Sequence, residues 1–163
     1  MDTVILILQT DNIRKYLSPS NIIQEPNPHH KRKAKLIIQN LPKCISVHDV
    51  RENFDSNDIN KFINTYERRF TRLIQLIKSN DKLFFVRYGK IEEHQKEMFI
   101  NTILTINPKC NFILISVNDQ QPLDTINKSA RFIEFNYTTK HIHDDWTSSW
   151  LDWATIFKVA TES

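Results

Sequence analysis

One glycine, Gly89, stands in a chain of 163 residues. The phosphate-cradling loops of dinucleotide- and mononucleotide-binding domains need several, because the backbone must turn tightly and approach the phosphates. The hydrolase elbow, with glycines flanking a nucleophilic serine, is excluded on the same ground. Cysteine is nearly as scarce: Cys44 and Cys110 are too few and too far apart for a disulfide framework or a four-thiolate zinc site. Long apolar runs are missing as well. The run 4–8 follows Asp2 rather than a basic flank, and it is too short for a signal peptide or a membrane span. Reduced thiols and no export signal give the expectation of a cytoplasmic protein without a membrane partner. The net charge of +3 is below what a dedicated nucleic-acid binder carries, so the overall balance does not indicate nucleic acid.

What is present reads as one folded α/β domain over 1–163. The apolar fraction of 40% and charged fraction of 25% are those of a globular chain. Residues 3–9 predict a buried strand, since Val4 to Leu8 are apolar, rich in β-branched side chains and too few for a typical helix. Over 18–33 three prolines and two asparagines break every period, which predicts an exposed loop. A second strand is expected at 35–39. The dominant element follows at 58–80, where Phe62, Tyr66, Phe70, Leu73 and Ile77 recur at helical spacing and lead directly into an apolar strand at 83–87. A second helix begins at Glu92 and Glu93, buries Phe99, Ile103 and Ile106, and stops at Asn107 and Pro108. Strands are expected at 111–117 and 131–136, the latter wetter on one face because of Glu134. A final helix over 144–160 carries Trp146, Trp150, Trp153 and Phe157 as an aromatic stripe expected in the core. Alternating strands and helices predict a three-layer sandwich with a mainly parallel central sheet of about five strands.

In such sheets ligands gather outside the carboxyl ends of the strands. That rule selects Arg87, Asn118, Asp119, Asn136 and Tyr137 as an anion or substrate cleft. Arg68, Arg69 and Arg72 on the long helix form a second candidate anion group, against the plainer reading of ion pairs with a neighbouring element. The basic tract 29–33 has no interleaved aromatics to stack bases and reads as a solvated loop tip. His141, His143, Asp144 and Asp145 are competent metal ligands, but a complete ligand set is not evident, and helix capping is the simpler use of the aspartates. No cofactor is indicated.

Three pieces carry a likeness to a known family: Ser46-Val47-His48-Asp49, Tyr66-Glu67-Arg68-Arg69-Phe70-Thr71-Arg72, and Phe85-Val86-Arg87. Together with the strand 112–117 and the tryptophan-rich end, they make the stretch from Ser46 onward resemble the papain-like cysteine peptidases. The resemblance implies a cysteine nucleophile near the N-terminus and a histidine base oriented by a carboxylate or amide. By position, His48 with Asp49 corresponds to that base. The nucleophile segment has no counterpart, since Gln9, Thr10 and Asp11 stand where the family places its cysteine. Cys44 sits four residues before His48, but Pro42, Ile45 and Val47 disfavour the helix that would bring them together. The resemblance therefore implies a shortened, catalytically degenerate member. A glycosyltransferase-like or other phosphate- or nucleotide-handling domain is the first alternative, and a non-catalytic domain meeting a protein or peptide partner is the second.

Overall fold

The computed structural model describes residues 1–10, 12–25, 35–41, 45–46, 55–79, 81–118, 125–136 and 153–162. They fall into two compact units, Met1–Lys78 and Ser79–Ser163, and each has its own sheet.

In the first unit, the run expected as a strand is instead helix α1 (Asp2–Leu8). A uniformly apolar run carries no period and can bury itself in either form. Ile5 and Leu8, three apart, go inside, while Val4 stays 43% exposed. A helix also closes its own backbone hydrogen bonds, such as Gln9 N–H to Ile5 O at 3.0 Å, and needs no strand beside it. Next, Asn12 Oδ1 accepts from Arg14 N at 2.9 Å and opens a 3-10 turn at Ile13–Lys15. Strand β1 (Ile22–Glu25) then forms inside the stretch expected as loop. It pairs antiparallel with β2 (Lys35–Ile38), where a strand was expected, and Lys35 Nζ meets Glu25 Oε2 at 2.6 Å across the last pair. Strand β3 (Ile45–Ser46) joins the other side of β2.

Helix α2 (Ser56–Lys78) is capped by Asp55, whose Oδ1 accepts from Asp58 N at 2.9 Å. Its Ile59, Phe62 and Ile63 are buried with Ile13, Leu17, Leu36, Ile38 and Leu41, and Tyr66 and Phe70 lie partly buried beside them. The helical phase is as the sequence predicts. The residues clustered with its first half belong to the first unit, and the strand at 83–87 opens the second. Arg14 ties the 3-10 turn to the helix: its Nε and Nη2 reach the Glu67 carboxylate at 2.8 and 2.6 Å, and Nη2 also reaches Asn64 Oδ1 at 2.7 Å. Those hydrogen bonds hold the Glu67 carboxyl below its usual range.

The second unit runs β4 (Leu83–Tyr88), α3 (Glu93–Ile106), β5 (Phe112–Asn118), β6 (Thr125–Ser129), β7 (Phe132–Asn136) and α4 (Trp153–Thr161). The sheet order is β4-β5-β7-β6. β4 and β7 lie parallel to β5, with Leu83 opposite Phe112 and Leu114 opposite Phe132; β6 lies antiparallel along β7. The fold is thus α/β with a mixed sheet of four strands among the described residues. The two N-terminal runs expected in it are a helix and a strand of the other sheet. β6 escaped prediction because all five of its residues are exposed, so no burial pattern marks it.

All seven residues of β5 are buried. Alternation sends Phe112, Leu114, Ser116 and Asn118 to one face, and Ile113, Ile115 and Val117 to the other. On the first face, the Phe85 ring lies 5.2 Å from Phe99 of α3 and 5.9 Å from Phe112, both edge-on. On the second, Ile113, Ile115, Val117, Ile133 and Phe135 cluster with Ile156 and Ala160 of α4. The buried stripe of α4 is therefore aliphatic and not aromatic: Trp153 is partly buried, and Phe157 is 40% exposed and stacks on it at 6.0 Å. Trp146 and Trp150 lie outside the described residues. Lys82 Nζ sits 3.3 Å from the carbonyl oxygens of both Ala160 and Thr161, where a cation suits the helix C-terminus. No described helix is long and apolar enough to cross a membrane.

Two expected outcomes follow from the first unit. Phe62→Ala should cost about 3–5 kcal/mol in urea unfolding, the range for deleting a buried aromatic side chain, and a change under about 1 kcal/mol would mean that Phe62 is not in the core. Glu67 binds its proton less readily folded than unfolded, so its contribution is present above the unfolded pKa and is lost as pH falls through the folded one. Glu67→Gln should thus destabilise the protein near neutral pH and match the parent in acid. A difference that does not change with pH would count against the ion pair.

Candidate functional site

The parallel strands β4, β5 and β7 end together, and their registry decides which side chains become neighbours there. Arg87 stands opposite Ser116, Ser116 opposite Glu134, and Glu134 opposite Asn127 of β6. This row crosses the whole sheet on the face that Phe85 shares with α3. Two residues further along β5 and β7, Asn118 stands opposite Asn136, and Asn136 opposite Thr125.

Hydrogen bonds knit these two rows together. Asn118 Nδ2 donates to Asn136 Oδ1 at 3.3 Å, and Asn136 Nδ2 donates to Thr125 Oγ1 at 3.0 Å and to Glu134 Oε2 at 3.4 Å. Glu134 Oε2 also accepts from Asn127 Nδ2 at 3.1 Å. Ser116, Asn118 and Asn136 are buried, and burial of polar groups is tolerable because each has a partner. Ser116 Oγ donates to the carbonyl of Gly89 at 3.0 Å, and Gly89 N donates to Val117 O at 2.8 Å. The chain's one glycine therefore sits where β4 leaves the sheet, held to β5 from both its amide and its carbonyl. Its φ of +91° is in the region that side chains rarely adopt.

Arg87 is the exception to this pairing. Its Nε is buried and has no hydrogen-bond partner. Its guanidinium makes no ion pair or hydrogen bond with any described residue, although the Glu134 carboxylate stands on the same row two strands away, about 10 Å at the usual strand spacing. Further along that face, Lys96 of α3 lies over the Phe132 ring at 5.0 Å and pairs with Glu93.

Of the residues that the sequence selects, Arg87, Asn118 and Asn136 are brought together on one face. Asp119, Tyr137, His48, Asp49, Cys44 and the 141–145 segment lie outside the described residues. Ser116, Glu134, Asn127 and Thr125 are added by registry; the only advance signal was the polar interruption of two apolar strands. Arg68, Arg69 and Arg72 are exposed on α2 of the first unit. Cys110 is buried, and burial pushes its thiol up, with the Arg131 charge opposing, so it stays protonated and unreactive at neutral pH. Among the described residues no group of three or more histidine, cysteine, aspartate or glutamate side chains could hold a metal ion.

No protein-family model, no curated protein and no solved structure matches this chain.

Gly89→Ala isolates the backbone requirement at this site. A Cβ there would meet nothing within 4 Å, so the whole cost is that of the left-handed backbone, about 1–2 kcal/mol. Urea unfolding should show a loss of that size, and no loss would mean that the turn relaxes to an ordinary conformation.

Proposed function

We propose that the second unit is a binding domain for a small anion, phosphate or carboxylate in character, anchored by Arg87 at the carboxyl ends of β4, β5 and β7. The observation that carries this reading is the buried, unpartnered Nε of Arg87 beside a polar row whose other members are paired. A guanidinium offers five donors in a planar fork and accepts nothing, so leaving one of them dry is costly unless an acceptor arrives. A phosphate or carboxylate supplies that acceptor and can take two parallel hydrogen bonds. The position agrees with where open α/β sheets hold ligands. With a single glycine the chain would hold the anion through a side chain and not through a glycine-rich backbone loop. The domain type is that of a three-layer α/β sandwich, supported by two parallel strand pairs and by α3 and α4 contributing to opposite faces.

The likeness to papain-like cysteine peptidases enters this reading as a scaffold without the chemistry. Cys110 is buried and has no histidine among its described contacts, and the chain offers no cysteine at the family's nucleophile position. Binding rather than peptide hydrolysis is the function proposed.

Arg87→Met tests the proposal. Thermal unfolding of the parent should be shifted upward by inorganic phosphate, a nucleotide or a short acidic peptide, by an amount equivalent to about 2.7 kcal/mol at a hundredfold excess over the dissociation constant. The methionine variant should match or exceed the parent's stability without ligand, since an orphaned donor is removed, and should lose the shift. If the variant unfolds and no anion stabilises the parent, Arg87 is part of the scaffold.

A further inference from the structure

The overall charge of +3 is the average of two units of opposite balance. Met1–Lys78 holds 13 of the 22 lysines and arginines against 8 of the 19 acidic residues, a balance of +5; Ser79–Ser163 holds the other 9 against 11, a balance of −2. Segregation of basic charge into one part of a chain points to a polyanionic partner for that part.

Within the first unit, exposed cations gather on one side of α2. Lys61, Arg68, Arg69 and Arg72 are all exposed. At 3.6 residues per turn, Lys61, Arg68 and Arg72 lie within about 40° of one another and Arg69 about 60° beyond. Exposed Asn57 and Gln75 continue the stripe at its two ends, over about 27 Å at 1.5 Å per residue. Among the described residues only Asp58, 3.6 Å from Lys61, brings negative charge to it. Arg69 lies over the Tyr66 ring at 5.1 Å, and Arg68 and Arg72 form no ion pair among the described residues. Like charges four apart on a helix repel, and among the described residues no acid pairs with Arg68 or Arg72 to offset that repulsion. The helix cannot roll to bring one round, because Ile59, Phe62 and Ile63 are fixed in the core and Glu67 is held by Arg14.

We propose that this stripe docks the phosphate backbone of a nucleic acid without reading its sequence. Three of the four cations are arginines, whose donor fork matches phosphate oxygens, and the flanking amides are the neutral donors that backbone contacts also use. An anionic membrane surface fits less well, since a helix that lies in it inserts an apolar face, and that face of α2 is already buried in the core. An acidic protein fits less well too. Protein interfaces have an uncharged, apolar centre, and the stripe offers only Leu76, 46% exposed.

The test is fluorescence anisotropy of the full chain titrated into labelled single-stranded oligothymidine and a labelled mixed-sequence duplex, over a range of salt. Binding should appear at low salt, with a log–log salt slope near −3 for about four phosphates neutralised. Arg68→Glu with Arg72→Glu should weaken it more than tenfold. Lys109→Glu with Lys158→Glu, the same charge change on exposed residues of the second unit, should leave it within about twofold, as expected if local phosphate contacts dominate over net charge. Circular-dichroism melting confirms folding of each variant; if the glutamates prevent folding, the glutamine pair at 68 and 72 replaces them and should still weaken binding. Three results would overturn the proposal: no binding at low salt, equal weakening by both charge-reversal pairs, or tighter binding to anionic phospholipid vesicles or polyglutamate than to either oligonucleotide.

Discussion

A strand with no exposed side chain must be covered on both faces, and in the second unit β5 is that strand. Its apolar side chains, Phe112, Ile113, Leu114, Ile115 and Val117, are each buried, worth about 1.5–3 kcal/mol apiece for the larger ones. A ring contact from α3 lies on one side and the α4 cluster on the other, and strand pairing sets the parallel registry of β4 and β7 to β5. Once registry is pinned, the polar residues at the strand ends have no freedom to choose neighbours. Ser116 and Asn118 are buried because β5 is buried, so they must find partners or cost about 1–3 kcal/mol each. The hydrogen-bonded rows to Gly89 and Asn136 are the solution. Arg87, on the outer strand β4, is placed by the same registry beside Ser116 but receives no partner from it.

Much of this was legible in the residues. The phase of Phe62, Tyr66 and Phe70 gave α2, and the apolar runs at 83–87 and 112–117, each closed by a breaker, gave β4 and β5. Arg87, Asn118 and Asn136 could be found because strand ends are visible in a sequence. Ser116 and Glu134 could not be joined to them, since which strand lies beside which is a property of the sheet. The run at 3–8 misled because an unbroken apolar stretch has no period, and a short helix satisfies its backbone without help from a sheet. β1 and β6 were missed for opposite reasons. One sits within a proline-rich stretch, and the other has nothing to bury. Aromatic size misled at α4, where Ile156 and Ala160 fit against the sheet and Trp153 and Phe157 pack beside it.

The average charge of the chain conceals a division between its units, and the two proposed sites fall on either side of it. In the reading proposed above, the second unit would meet a small anion through one guanidinium, on a row whose carboxylate, two strands away, is already held by amides. The first presents several guanidinium and ammonium groups along a rigid ridge. A single arginine beside bound amides favours a compact group in one orientation, whereas a line of cations favours a long, repeating one.

Lys82 has a consequence for how the second unit can be handled. It lies one residue before β4, and its ammonium touches the last carbonyls of α4, so the chain enters and leaves the described part of this unit at neighbouring points. A module whose two ends meet can be grafted into a surface loop of a host, or re-cut with new ends elsewhere, without stretching its sheet. The segment 119–124 joins β5 to β6, strands that are not neighbours in the order β4-β5-β7-β6. A rejoined chain opened there would keep every strand pair of the sheet and would change only the sequence in which they are made.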